Sequence, residues 1–272
     1  MSTRRLFLAA APALLAFGGT ALATVGGLPR GLRDPVLGDI PICRGGATRV
    51  QYMQGRESND PAAADAALLE ALGLMEGHML IGRALVDAGE ARLGLPHFGH
   101  PVSELYTWLE PRIAARGARP FEAELITLEA RAKDGAKGAD LATVFEPALA
   151  GVAALRATVA PERAASQKFR MEHVATMLGA VADDYGESIE RGRIANVPEY
   201  HDSAGFLRYA IATATKWGAE PGAPAVWGSA LSELEAVRRS AYPELLPPPR
   251  PPVSISAIRA RSAKVNSFAE QI

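Results

Sequence analysis

Five histidines are the residues of this 272-residue chain best suited to chemistry: His78, His97, His100, His173 and His201. Methionines and carboxylates stand beside them. Met75 and Met79 flank His78, Met171 and Met177 flank His173, and Glu104 follows His100 by four residues. Imidazole, thioether and carboxylate together are ligands for copper, iron or zinc. His97-x-x-His100 is the most local pair, and on a loop entering a helix that spacing can place both rings on one ion. Glu104 shares the helix face of His100. It reads either as a third ligand or as a first-turn acid favoured by the helix dipole. The metal candidates are therefore His97 and His100 first, then His78 and His173, with Glu104 and Met79 after them. The metal is a transition ion: iron, copper or zinc.

The elements that carry these residues are helical. From Asp60 an N-cap and Pro61 open a long amphipathic helix, with Ala66, Leu69, Leu72, Met75, Met79 and Val86 inward to about Ala91. His78 lies on its apolar face with Leu74, Ile81 and Leu85. Gly77 and Gly82 beside it cost a helix roughly 0.5–1 kcal/mol each against alanine. They leave either room for a ligand or room for another helix to approach. His78 lies about 20 Å from the helix end at a rise of about 1.5 Å per residue. His97 reaches it only if residues 92–99 fold back along the helix, which an extended stretch of that length can span at roughly 26 Å.

Further helices are expected from Pro101, over Phe121–Arg131, over Leu141–Val159 with a bend near Pro147, and from Pro161 to Gly192. Two more run from about Ser203 to Trp217 and from about Ala225 to Ala241. Leu246–Pro252 reads as a stiff polyproline-like spacer. A terminal amphipathic helix follows, with Ile258, Val265, Phe268 and Ile272 on one face. Period-two alternation and β-branched runs are lacking. The expected fold is all-α, an antiparallel helical bundle behind an extended N-terminal arm. The two His/Met helices are each followed by a Pro/His segment, Pro96–His100 and Pro198–His201, which suggests two pseudo-symmetric halves.

The first 23 residues read as an export signal. They hold a charged start with Arg4 and Arg5, a short apolar run from Leu6 to Phe17, and Ala21-Leu22-Ala23 as a small-x-small cleavage site. Thr3 to Leu8 also resemble a twin-arginine signal, and an ordinary secretion signal carrying two arginines is the alternative. The organisation expected is a cleaved signal over 1–23, a Gly/Pro-rich arm over 24–60, a helical bundle over 61–245, and the spacer with its helix over 246–272. Without the signal, 27 basic residues face 30 acidic ones. No basic excess points to nucleic acid, and no segment after the signal reads as a membrane span. Cys43 is the single cysteine, so it forms no intramolecular disulfide. It is either a packed residue or a soft ligand.

Other chemistries lack their residues. No HExxH, GxSxG or phosphate loop is present, and no Glu-x-x-His pair of the di-iron bundle type occurs. Asp183, Asp184, Glu187 and Glu190 read as a solvated helix face.

Glu172 to Phe206 carries a resemblance. A long helix ending in Tyr185-Gly186-Glu187-Ser188-Ile189-Glu190-Arg191-Gly192-Arg193-Ile194 is followed by Glu199-Tyr200-His201-Asp202-Ser203-Ala204-Gly205-Phe206. This resembles the imelysin-like helical proteins, including the periplasmic component of iron uptake systems. The resemblance implies a periplasmic α-helical bundle linked to metal or haem acquisition. The signature Gly-x-His-x-x-Glu of that family has no counterpart here, since Ile81 follows His78 at that spacing and Glu104 stands one place late after His100.

Together these features predict an exported periplasmic, non-enzymatic helical protein that binds a transition metal for uptake or buffering. A structural bundle docking on another envelope protein through its C-terminal tail is one alternative. A haem- or metal-dependent redox protein is the other.

Overall fold

A computed structural model describes residues 46–272. The export signal, the arm up to residue 45 and Cys43 lie outside the described residues. The described chain is all-α, apart from one two-residue hairpin.

Helix α1 (Gly46–Gln54) stands where the sequence suggested extended chain. The Gly/Pro texture of the arm stops at Gly46, and the eight residues after it contain neither. Arg49 and Met53, four apart, then share a face that turns toward the rest of the bundle, and Met53 is fully buried.

Helix α2 (Pro61–Asp87) starts as expected. The Asp60 carboxylate accepts hydrogen bonds from the amides of Ala62 and Ala63, and Pro61 fills the first turn, where no amide donor is needed. From Ala67 to Met75 every side chain is buried. A helix that is apolar on all sides belongs in the middle of a bundle, and α2 touches α4, α7, α9 and α10.

The chain then turns at Gly89, whose φ of 89° favours glycine, and runs back as α3 (Ala91–Gly94) and α4 (Pro96–His100). The stretch expected as a loop is therefore helical. Pro101 has no amide to offer the carbonyl four residues back, and the backbone widens into a π-helical segment, Pro101–Tyr106. It narrows again as α5 (Thr107–Ala115).

Helices α6 (Glu122–Lys133) and α7 (Gly138–Arg156) form a hairpin on the flank of the bundle. The buried stripe of α7 is Leu141, Phe145, Ala148, Val152 and Leu155. Among the described residues α7 is the one helix long and apolar enough, by length and composition, to cross a membrane. The sequence reading expected no such segment after the signal.

The helix expected to run unbroken from Pro161 is two. Helix α8 (Pro161–Ala165) ends at Ser166, whose hydroxyl caps α9 (Gln167–Glu187) by accepting from the Phe169 amide. Strands β1 (Ile189–Glu190) and β2 (Arg193–Ile194) pair antiparallel. Arg191 and Gly192 between them both take positive φ, 51° and 73°, as a tight hairpin turn demands. Helix α10 (Val197–Gly218) begins six residues earlier than periodicity suggested. Its first turns carry Glu199, His201 and Asp202, polar residues that look like linker in sequence and are all buried.

Helix α11 (Val226–Ala241) lies on α10, and α12 (Ile255–Phe268) lies along α9 and α11. Ile258, Val265 and Ala269 are buried there. Arg261 and Lys264 pair with Glu233 of α11. The buried side chains of the tail helix face α9 and α11 of its own chain.

Candidate metal centre

Two pairs of glycines bring the site together. Gly77 of α2 meets Gly205 of α10 so closely that a Cβ on Gly205 would collide with the Gly77 carbonyl. A Cβ on Gly94 would stand 2.7 Å from the carbonyl oxygen of Gly82. The first contact presses α10 against α2 one residue from His78. The second holds α3 against α2 and sends α4 back toward that histidine. The glycines beside His78 thus serve helix approach rather than an open cavity, and that approach builds the site.

His78, His97, His100 and Asp202 converge, with one ligand atom from each lying within 4.8 Å of all the others. Asp202 Oδ1 is 2.6 Å from His78 Nδ1 and 2.7 Å from His97 Nδ1. Asp202 Oδ2 is 3.4 Å from His100 Nδ1, and His100 Nδ1 is 3.4 Å from His78 Nδ1. The rings stand edge to face, with centroids 5.0 Å apart for His78 and His100 and 5.2 Å for His97 and His100. All four residues are buried.

Glu104 closes one side. Its carboxylate is 3.7 Å from His78 Nε2 and 3.9 Å from His100 Nδ1. The π-helical segment takes more residues per turn than an α-helix. Glu104, four residues on from His100, still faces it across one turn. Phe206 lies edge-on to His78 at 5.0 Å, and the Arg49 guanidinium sits 5.4 Å over the Phe206 ring. Arg49 is ion-paired with Asp184 of α9. Asp184 and Arg49 also line a cleft of about 530 Å³ with Tyr52, Asp183, Glu187 and Arg259.

The electrostatics are those of a cation site. Burial works against ionising Asp202, but the His78, His97 and His100 rings outweigh it and hold the carboxyl well below its ordinary value. Burial also opposes charging His100. The charge and hydrogen bonding of Asp202, with the charges of Glu104 and Glu199, prevail and raise it to about 9. Burial lowers His78 to about 4 against the pull of Asp202. Burial raises Glu104 to about 7, with His100 opposing. Arg49 is raised although burial disfavours its charge, because Asp184, Glu104 and Asp202 all attract it.

The residues present suit a metal ion. Two ligands about 2.1 Å from one ion at the tetrahedral angle lie about 3.4 Å apart, which is the His78–His100 and His100–Asp202 spacing. The Nε2 atoms of His78 and His97 are buried without a hydrogen-bond partner. Three imidazoles and a carboxylate form an N/O donor set suited to iron, zinc or copper.

Of the residues singled out in the sequence, the fold gathers His78, His97, His100 and Glu104. His173 is elsewhere. Its Nε2 is 2.9 Å from the Tyr209 hydroxyl, its ring lies 5.9 Å from that of Trp217, and burial lowers it to about 3. Met79 is fully buried in the core of α2. The pseudo-symmetry therefore yields no second histidine cluster among the described residues. Asp202 was not singled out, although Glu199-x-x-Asp202, directly before Ser203, carried the signal of an acidic helix start. His201 stands next to the site, its ring 5.7 Å from that of His97 and its Nε2 buried without a partner.

Fold and site define an all-α bundle with a buried three-histidine, one-aspartate group at the meeting of α2, α4 and α10. Residues 160–248, a third of the chain, match the family model of the Iron permease-associated 4-helix bundle domain. The match covers α8 to α11 and includes Asp184, Glu199, His201 and Asp202. His78, His97, His100 and Glu104 lie before it. No curated protein and no solved structure matches the chain.

Proposed function

We propose that the protein is an exported, periplasmic metal-binding bundle that takes a transition ion, iron in the first instance, at His78, His97, His100 and Asp202 and works beside an iron permease. The observation that carries this reading is the convergence of four buried ligand atoms from three helices within 4.8 Å. Burying three imidazoles around a carboxylate is costly unless the facing polar atoms are satisfied, and an ion satisfies the four converging atoms at once. The likeness to the Iron permease-associated 4-helix bundle domain favours iron as cargo and a permease as partner. The resemblance of Glu172–Phe206 to imelysin-like proteins and the signal-like start, Arg4 and Arg5 included, favour the periplasm and a twin-arginine or ordinary secretion route.

The test is elemental analysis of untagged protein purified from the periplasm, followed by metal titration of the chain and of a His97→Ala/His100→Ala variant. Near-stoichiometric metal, lost in the variant, is the expected result. A metal-free protein that ignores added iron, copper and zinc would overturn the reading. Visible absorbance of the same preparation separates it from a haem redox protein.

A further inference from the structure

Beyond the four converging ligands, one pair of groups has no explanation in a single-ion site. His78 presents Nδ1 to Asp202, and its other nitrogen, Nε2, points out of that cluster. That Nε2 is buried and makes no hydrogen bond. Opposite it stands the Glu104 carboxylate at 3.7 Å, which is too long for a hydrogen bond. A buried ring nitrogen left without a partner is costly unless a ligand satisfies it. The gap between Nε2 and the carboxylate has the size of an ion: ligands about 2.1 Å from a metal and about 120° apart are about 3.6 Å from each other.

We propose that the centre holds two divalent cations, with His78 bridging them. Its Nδ1 binds the ion shared with His97, His100 and Asp202, and its Nε2 binds a second ion held by Glu104. This inference rests on the metal-binding reading of the site and extends it to a dinuclear centre. The bridging ring must surrender its remaining N–H proton to water as the second ion enters, so His78 becomes an imidazolate and no other bond is broken. Glu199 is the third buried carboxylate close enough for its charge to act on both His100 and Glu104.

The experiment counts ions on the full mature chain. Protein loaded with excess Zn²⁺ and desalted is weighed by native mass spectrometry, beside a Glu104→Gln variant that keeps the side-chain shape. Two zinc ions on the parent chain and one on the variant are expected. The same pair loaded with Cu²⁺ gives a second readout: an imidazolate couples the two copper spins, so the parent loses most of its electron paramagnetic resonance signal and the variant shows that of one copper. One zinc on both proteins overturns the dinuclear proposal and leaves the metal-binding reading standing. Two zinc ions on both proteins, or a full uncoupled two-copper signal, also overturn it, since the second ion would then lie elsewhere. No zinc and no copper on either protein overturns both readings.

Discussion

His78 Nδ1 and Asp202 Oδ1 lie 2.6 Å apart although 124 positions separate them in the chain. The contact exists because Gly77 and Gly205, each one to three residues away, let α2 and α10 touch backbone to backbone. Asp202 is also the one anion that all three converging histidines share.

Replacing Asp202 with asparagine is therefore expected to weaken metal binding about 100-fold or more, which is about 3 kcal/mol at about 1.4 kcal/mol per decade. The shape is kept and the charge that draws three imidazoles together is lost. Competition against a chelating dye measures the ratio. A change of less than about threefold would remove Asp202 from the ligand set.

The Gly205→Ala substitution adds a methyl group where the Gly77 carbonyl already stands. Overpacking of this kind costs roughly 1–3 kcal/mol, and here it also pushes Asp202 away from His78. Urea unfolding should show the loss of stability and metal titration a loss of affinity. A Gly179→Ala control, whose Cβ would meet only the Ser262 hydroxyl at 3.9 Å, should show neither.

His173 makes stability depend on pH on the acid side. Burial lowers the ring to about 3, whereas the unfolded chain takes the proton near 6.5. Between these values the unfolded state binds more protons, so stability falls as pH drops through that window, by up to about 1.4 kcal/mol per unit. The contribution is fully present above about 6.5. A His173→Gln variant measured by chemical unfolding at pH 7 and pH 4 should lose less on acidification than the parent does. An equal loss in both would show that other groups set the acid limb.

The Arg49–Asp184 pair ties α1 to α9 beside the metal centre. Removing one member of a buried pair is expected to cost roughly 3–5 kcal/mol. Arg49→Met should thus unfold at clearly lower urea, and Arg49→Met/Asp184→Leu should recover most of the difference. If the double variant is as unstable as the single one, α1 is held by its other contacts, such as buried Met53, and not by this pair.

The helices were legible because their causes are local. Asp60 and Pro61 start α2, the three- and four-residue spacing of apolar side chains sets its faces, and the absence of β-branched alternation excludes a sheet. The histidines were legible as chemistry, since five imidazoles confined to matching segments invite a ligand. The start of α10 was not legible, because Glu199, Tyr200, His201 and Asp202 look like polar linker until α2 and α4 bury them. The winding at Pro101 was equally hidden, since a missing amide can end a helix or widen it, and only the packing of the flanking turns selects the π form.

The sequence by itself determined an all-α chain, the capped and proline-started helices, and a short roster of metal-ligating residues. Tertiary structure alone decided which of them meet. His78, His97 and His100 share an anion because two glycine contacts bring α4 and α10 onto α2. His173 is excluded because α9 packs it against Tyr209 and Trp217 instead. A ligand set is a relation between distant helices, and the side-chain pattern along one helix cannot specify how closely another helix comes to it.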